Sequence, residues 1–213
     1  VPSAYVFDLD GTLIDSLPDI ADALDELILS EGHEALGMER ISKMIGHGVE
    51  KLVQRGFAAR DVSLADGGLS AMTDRFRAIY EPRAAHLTTL FPHVKETVEA
   101  IATRGIRMAV CTNKPAGVSR DILGKLGLDP YIPVVVGGDF GGPRKPAPNM
   151  VLEVARQLGI EPASGLFVGD SGADVGAARA AGMPVVVVPY GYTAVPPGEL
   201  GADKVIADFR DLI

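Results

Sequence analysis

Six short apolar runs, at residues 4–9, 107–111, 134–136, 166–168, 185–188 and, more weakly, 204–206, show almost none of the two-residue alternation of a sheet with one wet face. They read as strands covered on both sides. Turn-forming residues close the runs, and stretches with helical spacing separate them. That alternation specifies an α/β chain, a parallel sheet with helices packed on it. The 213 residues suffice for one large or two small domains with a real core. The 25 glycines and 15 prolines follow no periodic repeat, and 47% hydrophobic with 23% charged residues is a globular mixture, which excludes collagen-like, coiled-coil and disordered chains.

Between residues 16 and 86 the pattern changes to helical spacing, as in Ile20, Leu24, Leu27 and Ile28 and again in Met72, Phe76 and Ile79, with no convincing strand. This segment is expected to be a helical insertion, residues 16–86, in a core made of residues 1–15 and 87–213. Because it follows the first strand directly, it is expected over the carboxyl edge of the sheet, where open α/β folds bind ligands.

Charge and cysteine content narrow the partners. With 20 basic and 28 acidic residues the net charge is −8, which disfavours nucleic acid as a partner, since gripping a phosphate backbone needs a basic face. Any anionic substrate must meet a local positive site. The single cysteine, Cys111, excludes an intrachain disulfide and suits a reducing compartment. No apolar run approaches the roughly 20 residues of a membrane span, and the N-terminus lacks a signal pattern, so the expectation is a cytoplasmic protein with no membrane partner. The start at Val1 rather than Met fits a processed or trimmed end.

The first strand runs into Asp8-Leu9-Asp10-Gly11-Thr12, and period-2 alternation is expected to send the Asp8 and Asp10 side chains to the same side. Two crowded carboxylates raise at least one pKa or demand a cation, which points to a metal and an acid/base role. An Asp-Gly turn closing a strand is the other reading of Asp10 and Gly11. After the second strand, Thr112 and Asn113 offer a hydroxyl and an amide to a phosphoryl oxygen, or else they start the helix that Pro115 introduces. Cys111 reads as a buried apolar residue. Lys145 is by default a solvated lysine; it gains interest because a fixed cation lowers the repulsion between an anionic nucleophile and a phosphate. In Gly169-Asp170-Ser171-Gly172-Ala173-Asp174, Ser171 and Asp174 fit a capping box, which leaves Asp170 as a hard oxygen ligand suited to Mg2+. Ser171 is also a formal candidate for a hydrolase nucleophile, but no Gly-x-Ser-x-Gly elbow surrounds it and the histidines are only His33, His47, His86 and His93.

Taken together, Asp8-Leu9-Asp10-Gly11-Thr12, Thr112-Asn113, Lys145 and Gly169-Asp170-Ser171 with Asp174 resemble, in order and spacing, the haloacid dehalogenase superfamily of phosphohydrolases. Thr112-Asn113-Lys114-Pro115, Gly137-Gly138-Asp139, Arg144-Lys145-Pro146 and Tyr190-Gly191-Tyr192 look most like bacterial phosphoglycolate phosphatases. Asp10 is the acid that the superfamily's dehalogenases and phosphonoacetaldehyde hydrolases lack, while residues 140–143 are more glycine-rich than in the family. The resemblance implies a Rossmann-like parallel sheet core with helices on both faces plus an inserted α-helical cap domain.

It also implies a mechanism. Asp8 would attack phosphorus to form an aspartyl-phosphate, and Asp10 would protonate the leaving group and then activate water. Mg2+ would be held by Asp8, the Asp10 carbonyl and Asp170, with Asp174 orienting a ligand water, and Gly11, Thr112, Asn113 and Lys145 would bind the phosphate. Gly46, His47 and Gly48, between helical stretches, resemble the family's cap specificity loop; they also read as helix breakers. Nearby Arg40 and Lys43 read either as contacts for a substrate carboxylate or as a solvated face. The implied partner is a small phosphorylated metabolite, phosphoglycolate first, with the protein a monomer or homodimer. Sugar-phosphate, N-acetylmuramate 6-phosphate and pyrophosphate hydrolysis, a phosphomutase, a phospho-aspartate receiver and an idle binding protein on the same fold are the alternatives.

Overall fold

The structure is a computed structural model that describes residues 1–46 and 48–213, with Asp66 described in its backbone alone. By its internal contacts the chain forms two compact units, one of residues Val1–Asp15 with Thr89–Ile213 and the other of Ser16–Thr88.

In chain order the elements are β1 (Ala4–Phe7), β2 (Ile14–Asp15), α1 (Leu17–Ser30), α2 (Met38–Ser42), α3 (Val49–Ala58), α4 (Asp66–Tyr80), β3 (Thr89–Leu90), α5 (Val94–Thr103), β4 (Arg107–Cys111), α6 (Ala116–Lys125), β5 (Val134–Val136), α7 (Asn149–Leu158), β6 (Gly165–Gly169), α8 (Gly172–Ala181), β7 (Val185–Val187) and β8 (Lys204–Val205). Six strands form one sheet in the order β5-β4-β1-β6-β7-β8, and every pairing is parallel. The chain runs outward from β1 through β4 to β5, then returns to the other side of β1 with β6. The strand order reverses at β1, so the crevice at its carboxyl end is where such a sheet takes a ligand.

The apolar runs dictate this arrangement. Ala4, Val6, Ala109, Cys111, Phe167, Val185 and Val187 pack in one cluster with Met150, Val151 and Val154 of α7 and Val175, Ala177 and Ala178 of α8. Tyr5 and Phe7 alternate with Ala4 and Val6 along β1 and so face the other way. Their rings stack 5.9 Å apart, and Phe7 meets Phe209 at 5.8 Å. Burying each such ring contributes about 1.5–3 kcal/mol. All six expected strands are present. The expectation missed β2 and β3, a two-stranded antiparallel ribbon pairing Ile14 with Leu90 and Asp15 with Thr89, because strands of two residues carry no periodicity.

The unit Ser16–Thr88 is helical, with no strand among its described residues. Ile20, Leu24, Leu27 and Ile28 of α1 are buried as their spacing requires. On α4 the buried face is displaced: Leu69, Thr73, Phe76 and Tyr80 turn inward, while Met72 and Ile79 are only half-buried. An aromatic at position 80 outweighs the two aliphatic residues. Asp19, buried on α1, accepts from the backbone N–H of Leu87 at 3.0 Å, the N–H of Thr88 at 2.8 Å and the Thr88 hydroxyl at 2.7 Å. Its carboxylate thereby fastens the end of the helical unit to its beginning.

Candidate active site

Asp8, Thr112 and Asp170 are each the first residue beyond a strand, of β1, β4 and β6, which lie side by side in the sheet. The ladder extends to the first two of them, since Asp8 N–H donates to Val168 O at 2.9 Å and Thr112 N–H to Val136 O at 3.0 Å. Parallel strands in register therefore bring to one edge three residues that are far apart in the chain.

β1 ends at Phe7, so a turn rather than strand alternation carries the chain from Asp8 to Asp10, whose charge still helps to raise the Asp8 carboxyl. The chain turns instead, Leu9 O accepting from Leu13 N–H at 3.0 Å and Ile14 N–H at 3.1 Å. Each carboxylate has its own lysine. Lys145 Nζ lies 2.8 Å from Asp8 Oδ1, and Lys114 Nζ lies 2.7 and 2.9 Å from the two oxygens of Asp10.

Lys145 is not a solvated lysine. It is buried, and its ammonium also reaches Asp174 Oδ1 at 2.6 Å. The other oxygen of Asp174 accepts from Asp170 N–H at 3.1 Å, Ser171 N–H at 3.0 Å and the Ser171 hydroxyl at 2.7 Å. The expected capping box at the start of α8 is therefore present, and the same carboxylate anchors Lys145. A serine whose hydroxyl is given to a carboxylate in this way is a cap, which disposes of the nucleophilic reading of Ser171. Asn113, expected on the phosphate, also clips Lys145: its Oδ1 accepts from Lys145 N–H at 3.1 Å and its Nδ2 donates to Lys145 O at 3.2 Å. The Thr112 hydroxyl accepts the Lys114 N–H at 3.2 Å, a start-of-helix turn, while remaining at the edge with Asp8.

The family model for haloacid dehalogenase-like hydrolases matches residues 5–188, which contain every one of these side chains. The chain is a haloacid dehalogenase-like hydrolase. It is similar over 100% of its length to the phosphoglycolate phosphatase of Rhodospirillum rubrum, 42% identical across 216 residues and 90% of that protein. The phosphoglycolate phosphatase of Caulobacter vibrioides is 36% identical over 99% of this chain and 89% of the relative. Among solved structures, that of a predicted phosphoglycolate phosphatase from Haemophilus somnus 129pt superposes with a TM-score of 0.92 at 32% identity, covering 99% of this chain and 96% of the other.

In this hydrolase the electrostatics of the edge follow from burial. The Asp8 carboxyl is pushed up to about 7, first by burial and then by the charge of Asp174, with Lys145 opposing both. Asp170 is raised well above the ordinary carboxylate range by burial and by Asp174 and Asp8. Burial alone would discharge Lys145, but Asp174 and Asp8 outweigh it and hold the ammonium charged above its ordinary range. Burial pushes the Cys111 thiol up to about 12, so it is no nucleophile.

A divalent cation fits this donor set. Asp8, Asp170 and Asp174 bring carboxylate oxygens within 4.8 Å of one another, all buried, with one ammonium among three acids. Hard oxygen ligands and an excess of buried negative charge are the conditions Mg2+ satisfies. The Asp10 side chain is not among these three; its carboxylate is held by Lys114.

Of the expected specificity residues, Gly46 and Gly48 lie before α3 with φ of +100° and +87°, and His47 lies outside the described residues. Two groups at this edge have no role assigned from the sequence: Lys114, which appears there only within the Thr-Asn-Lys-Pro run, and the Tyr192 N–H, which donates to Asp170 Oδ2 at 2.7 Å. No helix among the described residues is long and apolar enough to cross a membrane.

Proposed function

We propose that this hydrolase is a Mg2+-dependent phosphomonoester hydrolase that works through an aspartyl-phosphate on a small anionic metabolite, with 2-phosphoglycolate its substrate, in the cytoplasm. The observation that carries the reading is the buried cluster in which one lysine, Lys145, is shared between Asp8 and Asp174 beside Asp170.

Asp8, Asp170 and the Asp10 carbonyl would hold Mg2+, with Asp174 behind them. The ion supplies charge neutralisation to the phosphoryl oxygens and to the Asp8 carboxylate. Asp8 Oδ forms a bond to phosphorus as the ester P–O bond breaks in line with it. Asp10 gives its proton to the departing oxygen. In the second half Asp10 takes a proton from water, the water oxygen bonds to phosphorus, and the Asp8–phosphorus bond breaks to release phosphate and restore the carboxylate. Lys145 keeps Asp8 in place and carries positive charge toward the phosphoryl oxygens; Thr112 offers a hydroxyl at the same edge.

The choice of substrate is supported by two features. The relatives from R. rubrum and C. vibrioides carry the name phosphoglycolate phosphatase. Lys114 places a buried ammonium against Asp10, the side chain that faces the leaving group, which in phosphoglycolate bears a carboxylate one carbon from the scissile oxygen. The test is phosphate release, with Mg2+ and with chelator, from phosphoglycolate beside a panel of small phosphomonoesters and pyrophosphate, compared as kcat/KM. Phosphoglycolate is expected to lead, with Asp8→Asn inactive. A flat panel removes the substrate; release that survives chelation or Asp8→Asn removes the mechanism.

A further inference from the structure

Asp170 is enclosed by backbone that the chemistry above does not use. Its Oδ2 accepts the Tyr192 N–H at 2.7 Å. A Cβ on Gly191 would lie 2.1 Å from Asp170 Cβ and 2.2 Å from Oδ2, and a Cβ on Gly11 would lie 2.5 Å from the same Oδ2. The carboxylate therefore sits in a slot walled by two glycines, one from the turn after β1 and one from the loop after β7. Only residues without a side chain leave room for it.

That loop is fastened to the segment after β1. The Tyr190 hydroxyl donates to Thr12 O at 3.0 Å, and its ring packs 4.3 Å from that of Phe91. The Tyr192 hydroxyl bonds to Asp15 Oδ1 at 2.7 Å. Both tyrosines hold Gly191 against Asp170 through the segment after β1, Tyr190 at Thr12, next in the chain to Gly11, and Tyr192 at Asp15.

We propose that Tyr190, Gly191 and Tyr192 form a strap that positions the Asp170 carboxylate for a divalent cation, committing one oxygen to the Tyr192 N–H so that the other is fixed before the ion arrives. The inference rests on the reading of Asp170 as a Mg2+ ligand. Groups that orient a ligand in this way set affinity by preorganisation, and their loss typically costs roughly 10- to 100-fold in metal binding.

Gly191→Ala is the diagnostic change, because Gly191 is not in the left-handed region and the three atoms nearest an added methyl all belong to Asp170, whereas Gly11 at φ +86° would be strained by any side chain. With Mg2+ titrated calorimetrically into the full chain, Gly191→Ala is expected to bind roughly 10- to 100-fold more weakly. In an Asp170→Gly background, which takes away the Cβ as well as the carboxylate, the methyl enters vacated space, so Gly191→Ala should lower Tm less than it does in the parent and change Mg2+ affinity no further. Tyr192→Phe, which keeps the N–H and the ring but drops the Asp15 bond, should weaken Mg2+ several-fold and decides the matter if Gly191→Ala does not fold. Parental Mg2+ affinity in both strap variants, with Asp170→Gly weakened, overturns the strap. Parental affinity in Asp170→Gly overturns the ligand reading beneath it.

Discussion

The Lys114 ammonium lies 2.7 and 2.9 Å from the two carboxylate oxygens of Asp10, both side chains largely withdrawn from water. In the proposed mechanism Asp10 is the acid that faces the leaving group, and a buried cation held by it would meet a second anion on the substrate. Lys114→Met should lower kcat/KM for phosphoglycolate by roughly 10- to 150-fold, the worth of a hydrogen bond to a charged group. An ester with an uncharged leaving group should lose much less. Steady-state kinetics on both substrates checks this, and equal losses would make Lys114 a support for Asp10 only.

Asp10→Asn keeps the shape of the turn and its carbonyl but removes the proton that the leaving oxygen needs. Turnover should fall by about 100-fold or more, in line with loss of general acid–base catalysis, while Mg2+ affinity stays near the parent. Calorimetry beside kinetics separates the two, and near-normal turnover would sink the role.

Lys145 neutralises two buried carboxylates at once, so its removal leaves both unpaired. Lys145→Ala should destabilise the chelated protein by about 3–5 kcal/mol, the usual cost of breaking a buried ion pair. Urea unfolding in chelator measures it. Added Mg2+ should recover part of the loss; a variant as stable as the parent would show that the pairing carries no weight.

The raised Asp8 carboxyl sets the pH response. Between its ordinary value of 3.8 and about 7 the folded protein binds more protons at Asp8 than the unfolded chain does. Stability in chelator should therefore fall as pH rises through that window and level off above it. Mg2+ competes with those protons, so the Tm gain from Mg2+ should be small at pH 5 and large at pH 8. A gain independent of pH would place the ion elsewhere.

The sheet was legible because its strands are buried on both faces and therefore appear as bare apolar runs, and Asp8, Thr112 and Asp170 were legible because each directly follows one. What escaped was decided by partners distant in the chain. Nothing in the sequence pairs Lys114 with Asp10, 104 positions away. The grip of the Asn113 side chain on the backbone of Lys145, 32 positions away, has no sign in the sequence either. The grip on Asp170 comes from a peptide N–H and two missing side chains, none of which a residue's chemical type announces. On α4 the helical period was right and the phase wrong, because helical spacing alone does not say which of two overlapping apolar stripes finds a neighbour.

Ile14 pairs with Leu90 and Asp15 with Thr89. The chain therefore leaves this two-stranded ribbon at Asp15 and comes back at the residue paired with it, Thr89, the spacing a tight hairpin turn would also satisfy. To the sheet, the whole helical unit is interchangeable with a reverse turn. Loop closure between fixed, adjacent ends grows only slowly in cost with the length of chain enclosed. The unit can be lengthened, trimmed or replaced by another without re-registering a single strand.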